Sequence, residues 1–332
     1  MPQKFPNPVD SYPVIQLQDT DGELPSTVKT TNNTRYAYFK TIAKGGKCVI
    51  QACKDLHLGR TICYKSLHPE LADDPLERLR FLREARVTAM LQHPNTVPVY
   101  EIGRDNRGKY YFTMKRVVGD TLKEILEGLR AGDTAMENTW DLDRLIDILI
   151  QVAQALDFAH THGVIHRDVK PENIVAGSFG EVLLLDWGLA KVWNAKKDNK
   201  SSFEDESDDP SLTSRGPMQA TPLYMSPEQV REDDLDQRTD IYSFGAVLFE
   251  VLTLEQLAWG DSIDEMLENT EKTRAPMPSA VNPKREVPPG LETICMRCIA
   301  KDPDHRFQTM GKVISELLYW KRLRAAERPA SW

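Results

Sequence analysis

Long apolar runs are missing from this sequence. Nowhere do 18 apolar residues follow one another, and the most apolar stretches, near Leu145 to Leu156 and Phe244 to Leu252, are short or carry charge. A membrane-spanning helix is therefore not expected, nor is the apolar core of an N-terminal signal peptide. Cysteine is scarce: Cys48, Cys53, Cys63, Cys295 and Cys298 make an odd number. That argues against a disulfide scaffold and for reduced thiols in the cytoplasm. Cys295 and Cys298 have the spacing of a zinc half-site, but no second pair or histidine accompanies them. They lie in LETICMRCIAKDP, which reads as one helix, so core cysteines are the expectation. Positive charge is also in deficit. A net charge of −8 disfavours nucleic acid or an anionic membrane as partner. No internal repeat is apparent. What is present is ordinary globular composition over 332 residues, 40% hydrophobic and 28% charged, enough for one large domain or two lobes with real cores.

Residues 1–33 are rich in Pro, Asp, Thr and Asn without a sustained period, and read as a mostly disordered leader. From Tyr36 to Leu67 apolar and polar residues alternate around Gly45-Gly46 and Leu58-Gly59, which predicts three strands joined by tight turns. The stretch DPLERLRFLREARVTAMLQHP predicts a helix capped by Asp74, with Pro75 at its first position and Pro94 as its stop. Phe81, Glu84, Thr88 and Leu91 share one face of it. Two further strands are expected around Val97 to Ile102 and Tyr110 to Val118, joined by the turn DNRG. A helix follows with an apolar stripe of Leu145, Ile148, Leu149, Val152, Leu156 and Ala159, closed by Gly163. After a short β-rich piece, Val164 to Leu185, comes a long polar segment from Trp193 to Pro222 that is either disordered or functional. The nearly all-round apolar run Ile241 to Leu252 predicts a buried helix. The order, a small β-rich part with one helix and then a larger helical part, suggests two lobes with a ligand cleft between them.

HRDVKPEN, His166 to Asn173, is the most informative segment. It precedes a strand that ends in DWG, Asp186 to Gly188. Asp168 and Asn173 sit on one tight loop with Lys170 between them, and Asp186 ends the apolar run Val182 to Leu185. A carboxylate and an amide oxygen converging from two such places can hold a hard cation such as magnesium. A second carboxylate, Asp168, can orient a hydroxyl and accept its proton. Phosphoryl transfer needs little more than positioned reactants and neutralised charge. An isolated HRD would read as a turn with structural hydrogen bonds; the spacing to Asn173 and the strand-end Asp186 favour chemistry.

On these residues the chain resembles a eukaryotic-like serine/threonine protein kinase of the bacterial sort, from about Tyr36 to Leu318. The resemblance implies a two-lobed α+β fold and transfer of the γ-phosphate of ATP to protein Ser or Thr hydroxyls, with magnesium, or manganese in its place, as the metal. Asp168 and Lys170 are then catalytic, and Asn173 and Asp186 are metal ligands. Lys65, in TICYK, would hold the α- and β-phosphates, with Glu84 as its ion-pair partner. AKGGKCVI, Ala43 to Ile50, resembles the glycine-rich loop, yet Ala43 and Cys48 stand where the family has glycine. Gly45 matches, with Gly46 beside it. Glycine there would let backbone N–H groups approach phosphate and take positive φ. YFTMKRV would be the hinge, with Met114 at the back of the pocket, Lys115 and Val117 at the adenine, and Ile50, Cys63 and Val175 against its ring. Trp187 replaces the usual phenylalanine before Gly188; its larger ring is expected to restrict rotation of that segment.

Glu228, in SPE, is expected to pair with a buried Arg306, and Asp240 to anchor the catalytic loop. That arrangement favours a protein over a small molecule as substrate. Arg167 would receive a phosphate placed on Ser211, Thr213 or Ser214, with Thr213 first by spacing; Thr221 would face the acceptor. The acidic run FEDESDDP reads as a solvated insertion. The expected division is a leader over 1–33, a kinase domain over 34–323 and a short tail over 324–332. Within the domain the N-lobe is 34–117, the C-lobe 118–323 and the activation segment 186–228. The altered glycine loop keeps a second reading open, a pseudokinase or scaffold that binds partners without useful catalysis.

Overall fold

The computed structural model describes residues 35–105, 107–192 and 222–327. The leader, Ser211, Thr213, Ser214, Thr221, the acidic run before them and the last residues of the tail lie outside the described residues. The protein is α+β and divides into two compact units. One runs up to Leu79 and takes in Pro98–Val118; the other comprises Arg80–Val97 and the chain from Gly119 on.

The first unit is an antiparallel sheet in the order β1-β2-β3-β5-β4. Its strands are β1 (Tyr36–Lys44), β2 (Cys48–Asp55), β3 (Arg60–Leu67), β4 (Val99–Arg104) and β5 (Tyr110–Lys115). The three strands expected from Tyr36 to Leu67 are present, and burial alternates along β3 from Cys63 to Leu67, as successive residues of a strand face opposite ways. The β2–β3 turn closes at Gly59, φ +66°, a left-handed position that favours glycine. On one outer surface Tyr64 stacks on Tyr111 at 4.5 Å between ring centroids, and Tyr36 meets both edge-on. The Tyr36 hydroxyl donates to Glu101 at 2.6 Å, and Arg35 bridges Glu101 and Asp55.

Helix α1 (Pro75–Met90) starts as its sequence signals: Asp74 Oδ1 accepts from Leu76 N at 2.8 Å and Glu77 N at 3.2 Å. It ends before Pro94 is reached. Its residues from Arg80 on belong to the second unit.

That unit continues with β6 (Asp120–Thr121), α2 (Leu122–Arg130), α3 (Thr134–Thr139), α4 (Leu142–Thr161), β7 (Val164–Ile165), β8 (Ile174–Ala176), β9 (Val182–Leu184) and β10 (Lys191–Val192). After the undescribed stretch come α5 (Pro227–Val230), α6 (Arg238–Thr253), α7 (Ile263–Lys272), α8 (Pro278–Val281), α9 (Pro289–Cys298) and α10 (Met310–Glu327). The expected stripe on α4 is the buried one, and Gly163 ends that region with φ +72°. Helix α6 is buried along its length from Thr239 to Thr253. It therefore forms the axis of the core, where Phe244, Val247 and Leu248 join Leu149, Leu156, Cys295, Cys298 and Leu317. Cys295 and Cys298 are fully buried, and burial pushes the Cys298 thiol up to about 12. They are core cysteines.

Candidate active site

The catalytic-loop candidates lie between β7 and β8, and buried Asp240 holds the loop from beneath. Asp240 opens α6 with no solvent exposure. Its Oδ2 accepts from His166 N at 2.8 Å and its Oδ1 from Arg167 N at 2.8 Å, while His160 Nε2 meets Oδ2 at 2.8 Å. Burial alone would raise this carboxyl. The hydrogen bond and charge of His160, with the facing His166 and Arg167 N–H, outweigh it and hold the carboxyl below its usual range. The loop needs this support because Arg167 takes a left-handed φ of +71°, a costly conformation for a long side chain.

Above that anchor the reactive groups converge. Asp168 Oδ2 accepts from Lys170 Nζ at 2.6 Å and from Asn173 Nδ2 at 3.3 Å. Asn173 Nδ2 also donates to the Asp168 carbonyl at 2.9 Å. These bonds fix the amide: nitrogen toward Asp168, oxygen turned the other way. His166 is set just as firmly. Its Nδ1 accepts from Asp168 N at 3.2 Å, so its Nε2 carries the proton donated to the Leu185 carbonyl at 3.0 Å.

The β8–β9 hairpin brings the second carboxylate to the same end. Ile174 pairs with Leu184 in register, and Leu185 N donates to the Asn173 carbonyl at 2.7 Å. Asp186 is therefore the next residue beyond the Asn173 step. It is exposed and left-handed, φ +59°, and its Oδ1 accepts from Gly188 N at 3.2 Å. A Cβ on Gly188 would lie 3.0 Å from Asp186 Oδ1 and 3.5 Å from Glu84 Oε2, so glycine is what lets those two carboxylates share this corner. Trp187 is 1% exposed, inside the core cluster that also takes Val87 and Leu91, and its ring centroid stands 4.5 Å from that of His166.

The donor set suits a hard cation: one carboxylate at Asp186 and one amide oxygen at Asn173, whose shell phosphate oxygens and water would complete. Among the described residues no group of three or more His, Cys, Asp or Glu gathers as a metal cage. A cation held jointly with phosphate needs none.

Glu228 and Arg306 form a buried two-pronged pair at 2.6 and 2.8 Å. Thr239 Oγ1 donates to Glu228 at 3.0 Å, and Arg306 also donates to the carbonyls of Ala300, Arg238 and Lys301. Burial would raise the Glu228 carboxyl; Arg306 overrides it and keeps it low. Next to Glu228, Gln229 Nε2 donates to the Arg167 carbonyl at 2.9 Å, tying α5 to the catalytic loop. Arg167 itself has its affinity for protons lowered by burial and by Arg83, against the pull of Asp240. Its Nε is buried and finds no hydrogen-bond partner among the described residues.

The nucleotide-binding candidates fall in both units. In the first, Ile50 pairs with Lys65, and Cys63 with Met114, so the register puts these four on one face of the sheet. Lys65 is 9% exposed, with Nζ 5.6 Å from the Phe112 ring centroid. Burial pushes the Cys63 thiol up to about 11, with the Val117 backbone against it. Lys115 N donates to the Pro98 carbonyl at 2.9 Å. Gly45 and Gly46 follow β1; contrary to the expectation of positive φ, neither is left-handed. Glu84 and Val175 belong to the second unit. Sequence spacing did not single out His160, Gln229 or Arg83, whose partners are distant in the chain.

The protein kinase domain pattern matches residues 36–318. The chain is 35% identical over 289 residues to the serine/threonine-protein kinase PknD of Protochlamydia amoebophila, covering 85% of this chain and 29% of that one. It is 33% identical over 290 residues to the PknD of Chlamydia muridarum and 32% identical over 290 residues to that of Chlamydia pneumoniae, covering 31% of each. It thus spans less than a third of the length of these curated relatives. No helix among the described residues is long and apolar enough to cross a membrane.

Proposed function

The chain belongs to the protein kinase domain family, and from that premise we propose that it transfers the γ-phosphate of ATP to serine or threonine hydroxyls of proteins. The carrying observation is the Asp168–Lys170–Asn173 cluster, seated on Asp240 and joined to Asp186 through the Asn173–Leu185 hydrogen bond. The relatives named serine/threonine-protein kinase support the substrate class.

In this reading Asp168 orients the acceptor hydroxyl and takes its proton at Oδ1 or Oδ2. Lys170, ion-paired to it, also faces the charge that develops on the transferred group. Asn173 Oδ1 and the Asp186 carboxylate would hold magnesium, or manganese, which when bound neutralises phosphate charge. Lys65, with Glu84 as its partner, steadies the nucleotide phosphates. Gly45 and Gly46 cover them, while Ile50, Cys63, Met114, Lys115, Val117 and Val175 make the adenine site. We assign the N-lobe to 34–117, the C-lobe to 118–323 and the activation segment to 186–228. Arg167 is the receiver for a phosphate on Ser211, Thr213 or Ser214, with Thr221 facing the acceptor. The cytoplasm, where ATP is plentiful and thiols stay reduced, is the compartment we propose; nucleic acid is not a proposed partner. No observation favours the pseudokinase reading.

The test is autophosphorylation with magnesium-ATP, with sites read by mass spectrometry, beside Asp168→Asn. Transfer should fall by about 10³-fold or more in the variant, as it does when a residue of a concerted catalytic group is removed. No phosphate on the wild-type chain, despite measurable ATP binding, would overturn the reading.

A further inference from the structure

Ala43 and Cys48, at the ends of the strands that flank the β1–β2 loop, stand where the family resemblance places glycine, and the loop's tip is tied to the residue after β3 and to α1. The turn closes through Gly45 N donating to the Cys48 carbonyl at 2.9 Å. Two ties then leave it. His68, the residue after β3, donates its backbone N–H to the Lys47 carbonyl at 2.8 Å, extending the β2–β3 ladder by one step. Its ring reaches back to the tip, where Nε2 meets the Gly45 carbonyl at 2.7 Å. The second tie is Lys47 Nζ, which lies 3.0 Å from Glu77 Oε1 and 2.9 Å from Oε2. Glu77 is only 7% exposed and sits in the first turn of α1, so its carboxylate is held in place and the lysine comes to it. Asp74, which caps that turn, and His68 are joined through Leu71, whose N–H donates to the His68 carbonyl at 3.0 Å and whose carbonyl accepts from Asp74 N at 3.2 Å.

We propose that His68 and Lys47 are positioning residues that preorganise the β1–β2 loop for nucleotide phosphates, replacing with side-chain ties what the family obtains from a glycine-lined backbone. This rests on the nucleotide-binding reading of that loop. The physical case is entropic. A loop whose exposed tip must be ordered by the ligand gives up part of the binding free energy; one already held does not. The His68 tie is at the surface and the Lys47 side chain of the other is 47% exposed, so either contact contributes little to global stability. Its loss should therefore appear in nucleotide affinity more than in folding.

The experiment compares His68→Ala, His68→Gln, Lys47→Ala and Lys47→Arg by two readouts: binding of magnesium-ATP by calorimetry, and KM for ATP against KM for a protein substrate. Circular dichroism melting confirms that each variant folds. His68→Ala and Lys47→Ala should each weaken ATP binding about 3- to 10-fold and raise KM for ATP by the same factor, with KM for the protein substrate unmoved; this is the range of one lost surface contact. His68→Gln, whose amide N–H can still reach the Gly45 carbonyl, and Lys47→Arg should recover most of the loss. ATP binding unchanged in the two alanine variants, or changes that Gln and Arg fail to repair, would overturn the brace while leaving the kinase reading intact. A wild-type chain that binds no ATP would overturn the nucleotide reading and the brace with it.

Discussion

Two loops carry most of the proposed chemistry, and they are held in opposite ways. The loop between β1 and β2 is exposed from Ala43 to Lys47 and is tied by the His68 ring, which reaches its tip, and by Lys47, which reaches out to Glu77. The loop between β7 and β8 is largely buried, and a fully buried carboxylate, Asp240, grips two of its backbone N–H groups from below. Ties of this kind contribute about 0.5–1.5 kcal/mol each, so they bias the first loop toward one arrangement without locking it. A buried carboxylate that lost its donors would have no water to replace them, so the second loop has one arrangement only. The contrast suits the proposed tasks, in which one loop would admit and release a nucleotide and the other would keep a base in register with a hydroxyl.

By its effect on transfer, the strongest way to break the contrast is Asp240→Asn. The amide keeps the shape but presents N–H where His166 N, Arg167 N and His160 also donate. We expect phosphoryl transfer to fall about 100-fold and folding to lose about 3 kcal/mol, the scale of a buried charge-assisted hydrogen-bond set. Single-turnover kinetics and urea titration check this. A variant with normal kcat would mean that the loop holds itself without the anchor.

A second break concerns Arg306→Met, which strands Glu228 in the interior. The expected loss is about 3–5 kcal/mol. Its pH signature follows from the direction of the shifts. Glu228 and Asp240 are both held below their usual range, so they contribute stability that is complete above the unfolded carboxyl values, near pH 4. That stability is lost as pH falls through the depressed folded values. Thermal midpoints of the wild type should therefore drop more steeply below about pH 4 than those of Arg306→Met, where Glu228 has lost what depressed it. Parallel acid limbs would show that the pair does not supply the linkage.

These two loops also differ in how much of them was written locally in the sequence. The β7–β8 loop is legible because its chemistry is packed into eight residues, His166 to Asn173, with Asp186 at the end of a short apolar strand. The third N-terminal strand and α6 are legible for a related reason: periodicity reports burial directly, as the alternation that buries Cys63, Lys65 and Leu67 of β3 and as an unbroken apolar run in α6. What joins the pieces is not local. His160 and Asp240 are 80 positions apart, Glu228 and Arg306 are 78 apart, and only a family pattern links the second pair in advance. His68 and Gly45 are just 23 apart, yet nothing in a lone histidine after a strand signals that its ring turns back over a hairpin tip. Gly45 and Gly46 point the other way: two glycines at a tip suggest left-handed backbone, and the turn closes without it, through Gly45 N donating to the Cys48 carbonyl.

The finest test sets one glycine of each loop region against the other. Gly188 has no space to spare: a Cβ would meet Asp186 Oδ1 at 3.0 Å and Glu84 Oε2 at 3.5 Å. Gly188→Ala should push apart the carboxylates it separates and cut magnesium-dependent transfer about 10-fold, with the optimum shifted to higher magnesium. Gly46 stands in the open, with nothing within 4 Å of the place a methyl group would take and an ordinary φ. Gly46→Ala should leave folding unharmed or raise stability by about 0.4–1 kcal/mol, since alanine removes freedom from the unfolded chain alone. Its effect on ATP affinity should stay below that of His68→Ala, because the added methyl group meets nothing in the free loop. A large loss of ATP affinity in Gly46→Ala, with stability intact, would mean that the tip backbone itself closes on phosphate to within a methyl group. The braced loop would then be as exacting as the buried one, and the contrast between them would vanish.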